Sequence, residues 1–142
     1  MGSTKLSPDE AKTLVRDWWM ALGNFDREKV LALLDDNIVW EIRFVGHFLP
    51  NNGVQRGKDV VTLNCIDMFG AMYDTDRTSF EITNMVSDGD TVVIECTIDG
   101  FTSAGVRYDA VEYVTIVQLL DGKVKHVREY MDALKAKEAH GL

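Results

Sequence analysis

The chain has 142 residues, of which 46% are hydrophobic and 27% are charged, and its formal net charge is −8. This length and balance predict one soluble globular domain over residues 1–142, large enough to bury a core. The acidic charge argues against nucleic acid and membrane surfaces as partners, because both recruit basic patches.

The sequence also lacks the marks of several common sites. Its two cysteines, Cys65 and Cys96, each lie in an apolar segment, which favours reduced core thiols and a cytoplasmic location. The three histidines have no metal-ligand spacing, and no glycine-rich phosphate loop occurs. No apolar run approaches the roughly 20 residues of a membrane span. We therefore expect no metal, no nucleotide cofactor and no membrane partner.

Three helices are predicted in the first half of the chain. The first begins at the capping box Ser7-Pro8-Asp9-Glu10 and ends at Gly23-Asn24. Asp26 caps a second helix, and a third, mostly apolar helix extends over about 58–73. Residues 1–6 precede the first cap and are expected to be disordered or left by cloning.

Strands dominate the rest of the chain. A first strand is predicted over 38–44, and the loop over 46–57 separates it from the third helix. Four more segments alternate with a period of two, at 79–86, 91–101, 106–119 and 123–131. This order predicts an α+β domain. A sheet of long hairpins covered by three helices would twist strongly, and its concave inner face could hold an apolar pocket.

Five short motifs occur in an order and spacing that can be compared with known families. They are WMALGNFD (19–26), LLDDNIVWE (33–41), GKDVV (57–61), DGKV (121–124) and REYMD (128–132). Together they resemble the SnoaL-like polyketide cyclases and isomerases of the nuclear transport factor 2-like superfamily. The resemblance implies a cone-shaped, curved antiparallel sheet with three helices around an apolar pocket. It also implies a homodimer and a small apolar substrate.

The resemblance points to two carboxylates as catalytic residues. Asp132 closes the last strand, where epoxide hydrolases and cyclases of the superfamily hold an acid or base, although it could instead cap a helical stretch over 133–139. Glu41 occupies a position similar to that of the aspartate base in ketosteroid isomerases. Alternation along the strand would place Trp40 inward and Glu41 outward, so both orientations of Glu41 stay open.

Two departures from the family pattern disfavour two of the reactions that the superfamily catalyses. The epoxide hydrolases carry an Arg-x-Asp pair on a middle strand, whereas the corresponding segment here is Glu95-Cys96-Thr97-Ile98-Asp99. Epoxide hydrolysis by that mechanism is therefore disfavoured. The tyrosine that forms the oxyanion hole of ketosteroid isomerases corresponds to Trp18, whose indole offers a single N–H donor. Steroid isomerisation is therefore disfavoured as well.

Other side chains complete the predicted site. His47, in the loop after the first strand, is a third candidate catalytic residue and would relay protons near neutral pH. Arg128 and Tyr130 share a face with Asp132 by period-two counting. The residues expected to contact substrate are Trp18, Trp40, Tyr113, Arg128 and Tyr130. Aromatic residues on these elements are also typical of an ordinary core.

The sequence thus predicts a cofactor-free enzyme that transfers protons on an apolar, carbonyl-bearing natural product. The reaction would be an isomerisation or an aldol-type cyclisation, with Asp132 as the principal acid or base and Glu41 as a second carboxylate. Two alternatives stay open: a non-catalytic module for small-molecule binding or dimerisation, and an epoxide hydrolase with a rearranged catalytic set.

Overall fold

The computed structural model describes residues 5–43 and 49–142. The strands are β1 (Leu34–Ile42), β2 (Val54–Arg56), β3 (Ser79–Ser87), β4 (Thr91–Phe101), β5 (Arg107–Leu120) and β6 (Lys123–Met131). The helices are α1 (Pro8–Gly23), α2 (Arg27–Ala32), α3 (Lys58–Val61), α4 (Met68–Met72) and α5 (Ala133–His140). The predicted α+β class is confirmed. Within the described ranges, no helix is long and apolar enough to cross a bilayer.

The six strands form one curved, unclosed sheet in the order β2-β1-β6-β5-β4-β3. The meander from β3 to β6 is antiparallel, as predicted, but β1 pairs with β6 in parallel, so the sheet is mixed. Strand β1 begins at Leu34, earlier than predicted, because Leu34 pairs with Val124 across the sheet. Strand β2 lies in the predicted loop and has three residues, too few for alternation to reveal it.

The first helix begins at the capping box that the sequence predicted. The Ser7 side chain accepts a hydrogen bond from the Glu10 backbone N–H, and the Glu10 carboxylate accepts one from the Ser7 backbone N–H. The helix ends against the sheet at Gly23, where an added Cβ would lie 2.7 Å from the Phe80 ring. Glycine therefore allows α1 to pack closely on β3.

The third predicted helix contains an irregularity that the sequence did not reveal. A π-helical segment, Thr62–Asp67, joins α3 to α4, so the helix over 58–72 changes its winding near its middle. Such segments are rare and often occur at functional sites, because one wide turn redirects the side chains that follow. The segment contains Asn64 and Cys65, both of which line the cavity described below.

Alternation along the strands divides the sheet into an inner face and an outer face. On β6, Val127 and Glu129 are buried, whereas the intervening Arg128 is partly exposed and Tyr130 is exposed. On β1, Trp40 is buried and contacts Glu129, which places Trp40 on the inner face and Glu41 on the outer face. Between the two orientations left open for Glu41, the structure selects the outward one.

Candidate active site

A cavity of about 100 Å³ lies where the inner face of the sheet meets the helix over 58–72 and α5. Its walls are mostly apolar and come from Ile42, Leu49, Met68, Phe69, Met72, Met131, Ala136 and Leu142. The polar side chains that reach it include Asn64, Tyr73, Tyr108, Tyr113, Glu129 and His140. An apolar enclosure with a few convergent polar groups is the usual form of a small-molecule site.

Glu129 is the buried carboxyl group of this cavity. Its side chain sits on the inner face of β6 with 8% of the residue exposed, and Oε1 accepts a hydrogen bond from Nε1 of Trp40. Burial raises the pKa of Glu129 to about 7, although the Trp40 hydrogen bond acts in the opposite direction. The carboxyl group therefore exchanges its proton near neutral pH, as a general acid or base must.

Three tyrosines line the same cavity as this carboxyl group. Tyr108 and Tyr113, both on β5, share a hydrogen bond between their hydroxyls, and the Tyr73 ring packs edge-on against Tyr108. Burial raises the pKa of all three phenols, and repulsion from neighbouring acidic groups adds to that effect. The phenols stay protonated at neutral pH and can therefore act as hydrogen-bond donors.

His140 closes the cavity from the C-terminal helix. Nε2 of His140 lies 2.9 Å from the Tyr73 hydroxyl, and its ring contacts those of Tyr73 and Tyr108. Helix α5 is held in place by buried Ala136 and Ala139. Burial lowers the pKa of His140, which favours the neutral imidazole near pH 7.

Glu41 belongs to a different group of side chains, on the outer face of the sheet. Its carboxylate contacts Nε2 of His126 at 2.5 Å and accepts a hydrogen bond from Arg43 at 2.7 Å. Burial alone would raise the pKa of Glu41, but the hydrogen bonds from His126 and Arg43 outweigh it and hold the pKa below its usual value. Glu41 is therefore a charged, paired carboxylate outside the cavity.

Asp132 also lies outside the cavity. It is exposed, and its side chain accepts a hydrogen bond from the Lys135 backbone N–H at 3.2 Å, as the N-cap of α5. It borders an open groove of about 390 Å³ on the outer face of the sheet, together with Glu95, Glu112 and Tyr130. The capping role that the sequence offered as an alternative is the one seen in the structure.

The remaining predicted residues divide between the two faces. Tyr113 lines the cavity. Trp40 is buried behind the cavity wall and donates a hydrogen bond to Glu129, which lines it. Trp18 is enclosed in the core, where its indole N–H donates to the Val30 carbonyl oxygen. Arg128 directly precedes inward-facing Glu129 on β6 and therefore lies on the outer face of the sheet. Tyr130 is exposed at the open groove on the same face. His47 lies outside the described residues.

Sequence reasoning missed Glu129, Tyr73, Tyr108 and His140. Glu129 had a detectable signal: it alternates with polar His126, Arg128 and Tyr130 and shares its face with apolar Val127. A carboxyl group within the apolar set of a strand is expected to be buried. The Tyr73–His140 contact had no such signal, because 67 positions separate the two residues in the chain.

The sequence model of the SnoaL-like domain family matches residues 15–127 of this chain. No curated protein sequence matches the chain. Similar solved structures include a nuclear transport factor 2-like protein from Burkholderia xenovorans LB400, with a TM-score of 0.74, 22% identity, and coverage of 94% of this chain and 98% of that one.

A second similar structure is a nuclear transport factor 2-like protein from Burkholderia pseudomallei K96243. It has a TM-score of 0.76 and 16% identity, over 90% of this chain and 95% of that one. A third is a protein with a ketosteroid isomerase-like fold from Catenulispora acidiphila DSM 44928, solved in complex with trimethylamine. It has a TM-score of 0.72 and 17% identity, over 91% and 92% of the two chains. At these identities the likeness establishes the fold.

Proposed function

The chain belongs to the SnoaL-like domain family, and we propose that it is an enzyme that transfers protons on a small, apolar, carbonyl-bearing compound. The reaction is an isomerisation or an aldol-type cyclisation carried out by side chains of the protein. The observation that carries this proposal is Glu129, a carboxyl group buried in an apolar cavity with a pKa raised to about 7.

The first step is removal of a proton from the carbon next to the carbonyl group. The ionised carboxylate of Glu129 takes the proton, and the electron pair of the broken C–H bond moves toward the carbonyl oxygen to give an enolate. A base with a pKa near the working pH is effective, because it is both available in its ionised form and strong enough to bind the proton. The Trp40 indole N–H orients the carboxylate through Oε1.

The developing enolate oxygen needs hydrogen-bond donors, which the tyrosines supply. In the Tyr108–Tyr113 hydrogen bond, one hydroxyl donates its proton to the oxygen of the other. The hydroxyl that accepts this bond still carries its own proton, which it can donate to a ligand. In a site without bulk water, such donors stabilise the negative charge strongly. In an isomerisation, protonated Glu129 then returns its proton to another carbon. In an aldol-type cyclisation, the enolate carbon attacks a second carbonyl carbon, and the alkoxide that forms takes the proton from Glu129, which restores the carboxylate.

The dimensions of the cavity restrict the compound. A volume of about 100 Å³ accommodates one small ring or the reacting end of a larger molecule. The three methionines in its walls, Met68, Met72 and Met131, are flexible and polarisable, so they can adapt to an apolar ligand. The relative from Catenulispora acidiphila, which was solved with trimethylamine, also holds a small molecule.

We also propose that the protein forms a homodimer through the outer face of its sheet. The exposed side chains Val114 and Tyr130 are paired across β5 and β6 on that face. Apolar side chains grouped on an exposed surface favour an interface. Light scattering with size-exclusion chromatography should give twice the 16.0 kDa chain mass, and a Val114→Lys variant should elute as the monomer. A wild-type monomer at micromolar concentration would contradict this part of the proposal.

Exchange of carbon-bound hydrogen for deuterium tests the catalytic proposal without knowledge of the natural substrate. Cyclohexanone is incubated with the protein in D₂O, and loss of its α-hydrogen signals is followed by ¹H NMR. The Glu129→Gln variant keeps the shape of the side chain but cannot take a proton. We expect its protein-dependent exchange rate to fall by about 10²–10⁴, which is the usual contribution of a general base. An unchanged rate would exclude Glu129 as the base.

Two matched variants decide between this site and the carboxylates that the sequence favoured. Glu41→Gln and Asp132→Asn each neutralise one carboxylate outside the cavity, and Asn is as good an N-cap as Asp. We expect both variants to retain exchange rates within about threefold of the wild type, because neither group reaches the cavity. Loss of exchange in Asp132→Asn with normal exchange in Glu129→Gln would restore Asp132 as the principal acid or base.

A non-catalytic binding protein is the second candidate, and the small cavity is the observation that favours it. A binder of this design would hold cyclohexanone in its apolar cavity without exchanging its hydrogens. Binding detected by ligand NMR, together with exchange no faster than in buffer, would establish this alternative. Saturable binding with exchange that depends on Glu129 would exclude it.

A further inference from the structure

A chain of three amide side chains leads from exposed Asn51 through buried Gln55 to Asn64, which lines the same cavity as the tyrosines and Glu129. Gln55, on β2, is 3% exposed and occupies the centre of this chain. Its Nε2 group lies 2.6 Å from the Pro50 carbonyl oxygen, and its Oε1 atom lies 2.9 Å from Nδ2 of both Asn51 and Asn64. Of these residues, Asn64 lines the cavity.

The chemistry of Pro50 fixes the orientation of every amide in the chain. A carbonyl oxygen can only accept hydrogen bonds, so the Gln55 atom that faces Pro50 must be the donating NH₂ group. Gln55 therefore presents its oxygen to both asparagines, and each asparagine must present its own NH₂ group in return. The Oδ1 atom of Asn64 is consequently on the side of the amide turned away from Gln55.

The backbone around Asn64 places this side chain at the cavity. Asn64 lies within the π-helical segment, between exposed Leu63 and buried Cys65, and is itself partly buried. It therefore combines a fixed position, a fixed amide orientation and a location in the cavity wall. An acceptor held in this way can recognise a hydrogen-bond donor on a bound molecule, and it discriminates strongly because a mismatched ligand would leave it unpaired.

We infer that Asn64 is a specificity-determining residue whose Oδ1 atom accepts a hydrogen bond from a hydroxyl or N–H group of the substrate. The compound then carries a carbonyl group at the tyrosine end and a donor at the Asn64 end, as in a small hydroxyketone. The carbonyl end of this assignment rests on the proposed function, whereas the donor end rests on the amide chain alone.

Three ligands of one skeleton test the inference by binding, which does not require turnover. Cyclohexanone carries the carbonyl alone, 4-hydroxycyclohexanone adds a donor, and 4-methoxycyclohexanone adds an oxygen without a donor. Their affinities for the full chain are measured by ligand NMR titration. We expect the hydroxyketone to bind about fivefold to tenfold more tightly than the other two, the usual worth of one hydrogen bond. Equal affinities for the hydroxy and methoxy compounds would overturn the inference.

Two substitutions at Asn64 and one matched control assign the preference to this residue. Asn64→Leu and the smaller Asn64→Ala should abolish the preference for the hydroxyketone while still binding cyclohexanone. Asn51→Gly removes an equal hydrogen bond to Gln55 at an exposed position with φ of 56°, where glycine is unstrained, and should keep the preference. A preference that persists in a folded Asn64 variant would overturn the inference.

The outcomes separate the two proposals. If the preference depends on Asn64 but Glu129→Gln leaves deuterium exchange unchanged, the donor site stands and the proposed catalytic function is wrong. If exchange depends on Glu129 but the preference survives in the Asn64 variants, the catalytic function stands and the donor site is wrong. If none of the three ketones binds to the wild-type chain, both proposals are wrong.

Discussion

Glu129 and Glu41 lie on adjacent strands, yet their surroundings give them opposite properties. Glu41 is paired in register with Arg128, the residue before Glu129, so one step along the strand separates the two positions. Glu129 faces inward and has a pKa raised to about 7 by burial. Glu41 faces outward, where hydrogen bonds from His126 and Arg43 hold its pKa below the usual value.

The difference shows that the pleat of the sheet, more than the position along the chain, decides what a carboxylate can do. Successive side chains point to opposite faces, so adjacent positions enter media of very different polarity. On the outer face a carboxylate is stabilised in its charged form and binds a proton only in acid. On the inner face the same group keeps its proton up to neutral pH, which suits a general acid or base.

The largest effect expected from this contrast is on the pH dependence of the free energy of unfolding. The pKa of Glu129 is about 7 in the folded protein against 4.5 as its ordinary value. The folded state therefore binds more protons than the unfolded state between pH 4.5 and 7, and this group makes stability fall as pH rises through that window. Glu129→Gln removes the effect. We expect the variant to be more stable than the wild type by about 3 kcal/mol at pH 8.

Urea unfolding of both proteins at pH 4.5 and pH 8 measures this difference, with Glu41→Gln as the control. Because the pKa of Glu41 is lowered in the folded state, its charge stabilises the protein above the ordinary carboxyl pKa, and that contribution is lost in acid. Glu41→Gln should therefore be less stable than the wild type at pH 8. The same sign of change in both variants would refute the contrast between the two faces.

The sequence predicted more of the fold than of the site. Alternation correctly placed Trp40 inward, and the Ser7 capping box, the order of the elements and the four-strand meander were all local signals. The resemblance to the family predicted Asp132 and Glu41 as catalytic residues, but both lie on the outer face of the sheet. The same alternation, applied to β6, would have predicted the inward position of Glu129.

Other parts of the site depend on contacts that no local pattern contains. The Tyr73–His140 pair, the Trp40–Glu129 hydrogen bond and the amide chain through Gln55 each join separate elements. The π-helical segment that contains Asn64 has no reliable sequence signal, because its residues continue the pattern of the single helix predicted over about 58–73. Such features become visible only when the chain is folded.

The second prediction concerns the tyrosines on the two faces. Tyr113 is buried at the cavity and bonded to Tyr108, whereas Tyr130 is exposed on the outer face. We expect Tyr113→Phe to slow deuterium exchange of cyclohexanone by about 10²-fold, at the lower end of the cost of losing one oxyanion donor, because Tyr108 remains. Tyr130→Phe should leave the rate within about twofold. Equal losses in both variants would contradict the assignment of the donors to the inner face.

The third prediction uses two indoles that differ in what they bond to. The N–H of Trp40 donates to the Glu129 carboxylate, and the N–H of Trp18 donates to the Val30 carbonyl oxygen. Trp40→Phe should raise the pKa of Glu129 by about one unit, because a hydrogen bond to the charged form is lost. Trp18→Phe also creates space in the core but should leave that pKa unchanged. A ¹³C NMR titration of the labelled Glu129 carboxyl distinguishes the two results.

The smallest expected effect on catalysis comes from the outer cluster, which consists of Glu41 and the two residues that contact its carboxylate, His126 and Arg43. Arg43→Gln removes one of the two donors that hold Glu41 in its charged form. The pKa of Glu41 should therefore rise toward its ordinary value in a ¹³C NMR titration. Deuterium exchange should stay within about twofold of the wild type, because the sheet separates this cluster from the cavity. A large loss of exchange would mean that the two faces are coupled, and Glu41 would then regain the catalytic role that the sequence suggested.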